Sequence, residues 1–213
     1  MSEERRNLPN PPAPGEGGMR AFLAVPTDGL WVESVRGLVA RLQESSPKAS
    51  WTKLSTWHLT LRFFERISRE KADEFASEIA PIAAGVVPGE IRAGEPAVFP
   101  SRGPARVLAV GFHPSPAAQE IERLAGEAEA LARRLGLEAE RRAFHPHVTL
   151  ARLRAPWPPA KVEAFRAEVA AWPFPAWTVR SCVLYESRLQ RDGAVHTPLQ
   201  EWSFIGGPRG VRA

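Results

Sequence analysis

The chain has 213 residues, 44% of them apolar and 24% charged, and a formal net charge of +4. That length suffices for one sizeable core, and the composition is that of an ordinary globular protein. The cationic surplus is too small for tight nonspecific DNA binding and suits an anionic substrate better. A single cysteine, Cys182, excludes an internal disulfide and a multi-cysteine zinc or iron–sulfur site. No apolar run approaches the roughly 18 residues of a membrane span, and the N-terminus lacks the apolar core of a secretory signal. A cytoplasmic protein without a membrane partner is expected.

Residues 1–18 are charged, then rich in proline and glycine, which predicts a disordered tail. One folded domain is expected over 19–205, with a flexible tail over 206–213. RAFLAV, Arg20 to Val25, reads as a strand ended by Pro26. A helix follows, with Trp31, Val32, Val35, Leu38, Val39 and Leu42 on one face and Asp28 placed to cap it. WHLTLRFF, Trp57 to Phe64, is a strand. The next helix buries Ala72, Phe75, Ile79 and Ile82, with Ser68 as its cap and Pro81 and Gly85 at its end. Strand-like pieces occur at Gly89 to Ala93 and Ala97 to Phe99, then a strongly apolar strand at Ala105 to Phe112.

The clearest helix carries Ala117, Ile121, Leu124, Ala128, Leu131 and Leu135 in one stripe and stops at Gly136. FHPHVTLAR, Phe144 to Arg152, is the strand after it. A helix with Val162, Phe165, Val169 and Trp172 on one face, a strand from Trp177 to Ser187 and a last strand from Val195 to Phe204 complete the chain. Arg191-Asp192-Gly193 is a hairpin signal between the last two strands. Cys182 lies in one of them, and a buried, unreactive thiol is expected.

Strand, helix, His-x-Thr strand therefore occurs twice, over about Met19 to Phe64 and about Ala105 to Leu153. In a strand, residues i and i+2 share a face, so His58 lies beside Thr60 and His147 beside Thr149. With seven threonines in 213 residues, chance puts one two places after a given histidine about 3% of the time. Two imidazoles facing each other supply a base and an acid, and two hydroxyls supply donors to an anionic oxygen. That suits in-line displacement at phosphorus without a metal. The rival reading of His145-Pro146-His147 as a metal site lacks further ligands, so no metal is expected; His145 is read as a neighbour that places the strand. His113 is read as exposed, and His196 as a residue of the final strand, with a peripheral substrate contact as the lesser alternative.

The motifs resemble the 2H phosphoesterase superfamily, and most closely its RNA 2′,3′-cyclic phosphodiesterase branch, also called 2′-5′ RNA ligases. The resemblance rests on MRAFLAV, WHLTLRFF, the VFP at Val98 to Pro100, RVLAVGF, FHPHVTLAR and LYESRL at Leu184 to Leu189. It implies an α+β, bilobal fold: two pseudo-symmetric lobes with antiparallel sheets lining a central cleft and helices outside. It implies hydrolysis of RNA or nucleoside 2′,3′-cyclic phosphate ends to 2′-phosphates with no cofactor, together with reversible 2′-5′ joining. A monomer is expected. By position the resemblance gives His58 and His147 the catalytic roles; His58 is taken as acid and His147 as base, an order that the sequence does not fix. Thr60 and Thr149 match its phosphate-binding hydroxyls, and Arg152 its basic residue after the second motif. Arg62, two past Thr60, should share the catalytic face or else reach solvent from the strand end, and Phe144 is a candidate for stacking on a base or packing in the core.

Two departures stand out. Phe63-Phe64-Glu65 replaces the family's usual Phe-Leu-Gly and is expected to put a carboxylate near the cleft mouth. His196 stands near where the family commonly has tyrosine. Two alternatives stay open: the same chemistry on a small cyclic nucleotide or ADP-ribose cyclic phosphate, and a non-catalytic nucleotide or RNA binder.

Overall fold

The computed structural model describes residues 18–45, 49–190 and 193–206. The two tails expected at the ends fall almost wholly outside these residues, as do Arg191 and Asp192 of the hairpin signal.

Nine strands and four helices alternate along the described chain: β1 (Met19–Pro26), α1 (Gly29–Ser45), β2 (Ala49–Trp51), β3 (His58–Ile67), α2 (Arg69–Ala84), β4 (Gly89–Phe99), β5 (Val107–Phe112), α3 (Pro116–Arg134), β6 (His147–Leu153), α4 (Pro159–Ala171), β7 (Ala176–Val179), β8 (Ser181–Gln190) and β9 (Gly193–Ser203). A short 3₁₀ turn, Leu54–Thr56, leads into β3. The strands form two sheets, ordered β3-β1-β8-β9 and β2-β6-β5-β4-β7, with antiparallel pairing throughout. The fold is α+β, as the family resemblance implies, and each sheet carries one His-x-Thr strand.

Local chemistry sets the element ends. Asp28 accepts from the Trp31 amide at 2.7 Å and starts α1. Ser68 and Ser115 cap α2 and α3 in the same way, through the Lys71 and Ala118 amides. Gly136, at φ 75°, takes the left-handed conformation that ends α3. Pro81 lies inside α2, in its last turn, and the helix stops at Gly85.

Three elements differ from the sequence reading. The pieces around 89–93 and 97–99 are one strand, β4, bent at Gly94 where the register to β5 shifts. Its first half pairs with β7 and its second with β5. The single strand expected over 177–187 is two, because the chain changes sheets at Arg180: β7 edges one sheet and β8 lies inside the other. β2 is an addition to the elements read from the sequence, since its three residues are too few to show a period.

The two sheets share one core. Trp31 of α1, from the first repeat, is fully buried against Phe112 of β5 and Trp177 of β7 in the other sheet. In return α3, from the second repeat, packs on β3. Each repeat's helix thus covers strands of the other sheet, which fixes the sheets relative to each other and leaves a cleft where β3 and β6 approach.

Candidate active site

Both motif strands carry the same irregularity. β1 pairs Val25 with Leu59 and Ala24 with Thr60, then Leu23 with Arg62, so Leu61 is one residue extra. β5 pairs Val110 with Val148 and Ala109 with Thr149, then Leu108 with Ala151, so Leu150 is extra. A bulge places two successive residues on one side and reverses the alternation beyond it. Accordingly Leu61 and Arg62 are both buried, as are Leu150 and Ala151. The residue that returns to the cleft is the fifth after each histidine: Phe63 in β3 and Arg152 in β6.

His58, Thr60, His147, Thr149 and Arg152 all line one cleft of about 790 Å³. Arg62 does not. The expectation that it shares the catalytic face fails because of the bulge. It is 5% exposed, pairs with Glu129 of α3 at 2.6 Å, and donates to the Phe63 and Glu138 carbonyls. Phe144 packs against the core rather than lining the cleft, which removes it as a stacking platform. Glu65 lines a separate depression with Arg62, Arg66 and the 137–142 loop, so the carboxylate expected at the cleft mouth is not there. Cys182 is buried in β8, and burial pushes its thiol up to about 12.

The two imidazoles are held alike. His58 Nδ1 lies 2.7 Å from the Thr56 carbonyl, and His147 Nδ1 lies 2.7 Å from the His145 carbonyl. A carbonyl only accepts, so each Nδ1 carries a proton and each neutral ring offers its Nε2 lone pair. Phe22 stacks on His58 at 4.4 Å, and Phe99 packs on His147 at 4.7 Å. Burial and the neighbouring His196 lower the His58 pKa to about 4, against a smaller opposing effect of the Thr56 carbonyl. Burial chiefly lowers that of His147 as well; the His145 carbonyl opposes this, and the charges of the His145 ring and Arg152 add smaller lowering effects. Both environments therefore favour the neutral imidazole.

Several lining residues escaped the sequence reading. Arg20, Lys53, Arg152 and Arg154 bring four cations to the cleft, and none of its described lining residues carries a carboxylate. Phe22, Trp51 and Phe63 are aromatic walls, with the Arg20 guanidinium 5.2 Å over the Phe63 ring. A hydrogen-bond relay ties the motifs together: Trp57 Nε1 donates to Thr52 Oγ1 at 2.7 Å, and that hydroxyl lies 2.8 and 2.9 Å from the Thr149 and Leu150 carbonyls at the β6 bulge. The residue before His58 is so linked to the strand of His147. Among the described residues, no group of three or more His, Cys, Asp or Glu is arranged to hold a metal ion, and no helix is long and apolar enough to cross a membrane.

Comparison with known proteins agrees with this geometry. The chain is 32% identical over 170 residues to an RNA 2′,3′-cyclic phosphodiesterase of Aeropyrum pernix, covering 78% of this chain and 94% of that protein. It is 26% identical over 189 residues to an RNA 2′,3′-cyclic phosphodiesterase of Geobacillus stearothermophilus, covering 89% of this chain but only 58% of that longer relative. Among solved structures, a Thermus thermophilus protein superposes with a TM-score of 0.69 at 26% identity, covering 88% of this chain and 99% of that one. The apo form of Escherichia coli LigT, at 21% identity, shares the fold with a TM-score of 0.66, over 89% of this chain and 99% of LigT. The family model described as the 2′-5′ RNA ligase superfamily matches residues 26–191. By that match, and with one His-x-Thr strand from each sheet at a common cleft, the chain belongs to the 2′-5′ RNA ligase superfamily.

Proposed function

We propose that the cleft hydrolyses the 2′,3′-cyclic phosphate end of RNA to a 2′-phosphate. The observation that carries this reading is the matched pair of imidazoles, each with Nδ1–H bound to a carbonyl and Nε2 left to one cationic cleft whose described lining residues carry no carboxylate. A water oxygen attacks phosphorus, one Nε2 takes its proton, the P–O3′ bond breaks, and the other imidazole gives O3′ a proton. Thr60, Thr149 and Arg152 hold the phosphate oxygens. With an RNA 5′-hydroxyl in place of water, the same transfers join two strands through a 2′-5′ linkage. Because both environments favour the neutral imidazole, the acid is charged with the help of the anionic substrate, whose nearby charge stabilises the imidazolium.

Arg20, Lys53 and Arg154 and the aromatic walls exceed what one cyclic phosphate occupies, which favours an oligonucleotide over a free cyclic nucleotide. The reaction uses no metal or cofactor, in a cytoplasmic monomer. The test is an RNA ending in a 2′,3′-cyclic phosphate, incubated with excess chelator and read by mass spectrometry. A 2′-phosphate end is expected. Binding without turnover would instead favour a non-catalytic RNA binder, and turnover of mononucleotide alone a small cyclic substrate.

A further inference from the structure

His196 is a third imidazole in the cleft. It stands on β9, three strands from β3, a separation of about 14 Å in a flat sheet. Yet its ring centroid lies 5.3 Å from that of His58, edge-on. The curl of the sheet closes the gap, and Phe22 of β1 is the shared floor: stacked under His58 and edge-on to His196 at 4.8 Å. Tyr185 stands beyond at 6.4 Å, and buried Ser187 is the register partner of His196 across β8 and β9.

The wiring of this ring is the reverse of the motif histidines. They tie up Nδ1–H and offer Nε2 as an acceptor. His196 Nδ1 is buried and has no hydrogen-bond partner among the described residues. An orphaned buried N–H is rarer and more costly than a buried lone pair, so the neutral ring keeps its proton on Nε2. Burial also lowers the pKa of His196, which keeps the ring neutral at pH 7. The cleft then holds two acceptor imidazoles and one donor imidazole, all uncharged.

We propose that His196 is a fixed hydrogen-bond donor of the substrate site, giving Nε2–H to an oxygen of the ribose cyclic phosphate held at His58. It moves no proton during the reaction. The ligand in this statement rests on the proposed function above, while the donor character rests on the wiring alone.

The experiment has two readouts. Long-range ¹⁵N–¹H spectra of the wild-type imidazoles at pH 7 should show the Nε2–H tautomer at His196, and its Nε2 resonance should move on titration with inorganic phosphate. In parallel, turnover of a nucleoside 2′,3′-cyclic monophosphate is measured for His196→Gln, which keeps a donor, and His196→Phe, which keeps only the ring. With unchanged melting temperatures, His196→Phe should lose roughly 10- to 100-fold in kcat/KM and His196→Gln about three-fold or less. An Nδ1–H tautomer, or a His196→Phe variant as active as wild type, overturns the proposal. Equal loss in both variants at unchanged melting temperature also overturns it, by giving the imidazole a proton-transfer role. A wild type that turns nothing over, but whose His196 Nε2 still answers to phosphate, would defeat the catalytic reading and leave the donor site standing.

Discussion

Two arginines that follow the two motifs end in opposite environments, one residue apart in register. Arg62 follows its histidine by four and is buried with Glu129; Arg152 follows by five and reaches the cleft. Their substitution should separate stability from binding. Arg62→Ala leaves Glu129 without its buried partner and should cost about 3 kcal/mol in denaturant unfolding, with activity retained in the folded fraction. Arg152→Ala should leave the unfolding midpoint in place and raise KM about ten-fold. The imidazoles make a second residue-level prediction. kcat/KM reports the free enzyme, and both pKa values there lie below the ordinary 6.5. The protonated form of the essential acid is therefore lost at lower pH than usual, and kcat/KM should peak below pH 6.5 and fall roughly ten-fold per pH unit above pH 7. A profile that is flat or rising from pH 6.5 to 8 would contradict these environments.

Among the elements, the strands with strict alternation were legible: His58 beside Thr60 and His147 beside Thr149 follow from period two alone. What lay beyond each bulge was not, because a bulge is defined by the partner strand. Setting HLTLRF against HVTLAR would have helped, since the cation falls at different positions in the two and only one can face the cleft. The split of β7 from β8 and the existence of β2 were hidden for similar reasons, being decided by which sheet edge is free. β2 matters because Thr52, just past it, bonds the bulge carbonyls of β6 and receives the Trp57 indole. Thr52→Val should lower unfolding free energy by about 1–3 kcal/mol and reduce kcat, while Thr52→Ser restores both. Unchanged kcat in the valine variant would show that the relay does not set the motif spacing.

At the scale of the molecule, the helix exchange between the sheets makes one core and one cleft from two similar halves. The halves were visible in the sequence as a repeated pattern, but their symmetry is broken at the site: Phe63 stands where the other half has Arg152. His196 reaches His58 only through the curl of the sheet, which no local pattern reveals. Four cations and no described carboxylate around the cleft predict a salt-dependent KM. KM should rise more steeply with ionic strength for a cyclic-phosphate oligonucleotide than for a mononucleotide, and parallel salt slopes would confine recognition to the terminal phosphate.

The account depends on both imidazoles acting at one phosphorus atom. Single-turnover rates on a cyclic-phosphate RNA, for His58→Ala, His147→Ala and the double variant, test this most directly. Each single change should slow cleavage by about 10²- to 10⁴-fold, and the double change should add far less than the product of the two, as for groups that act as a unit. Wild-type rates in either single variant, with its fold intact, would contradict it.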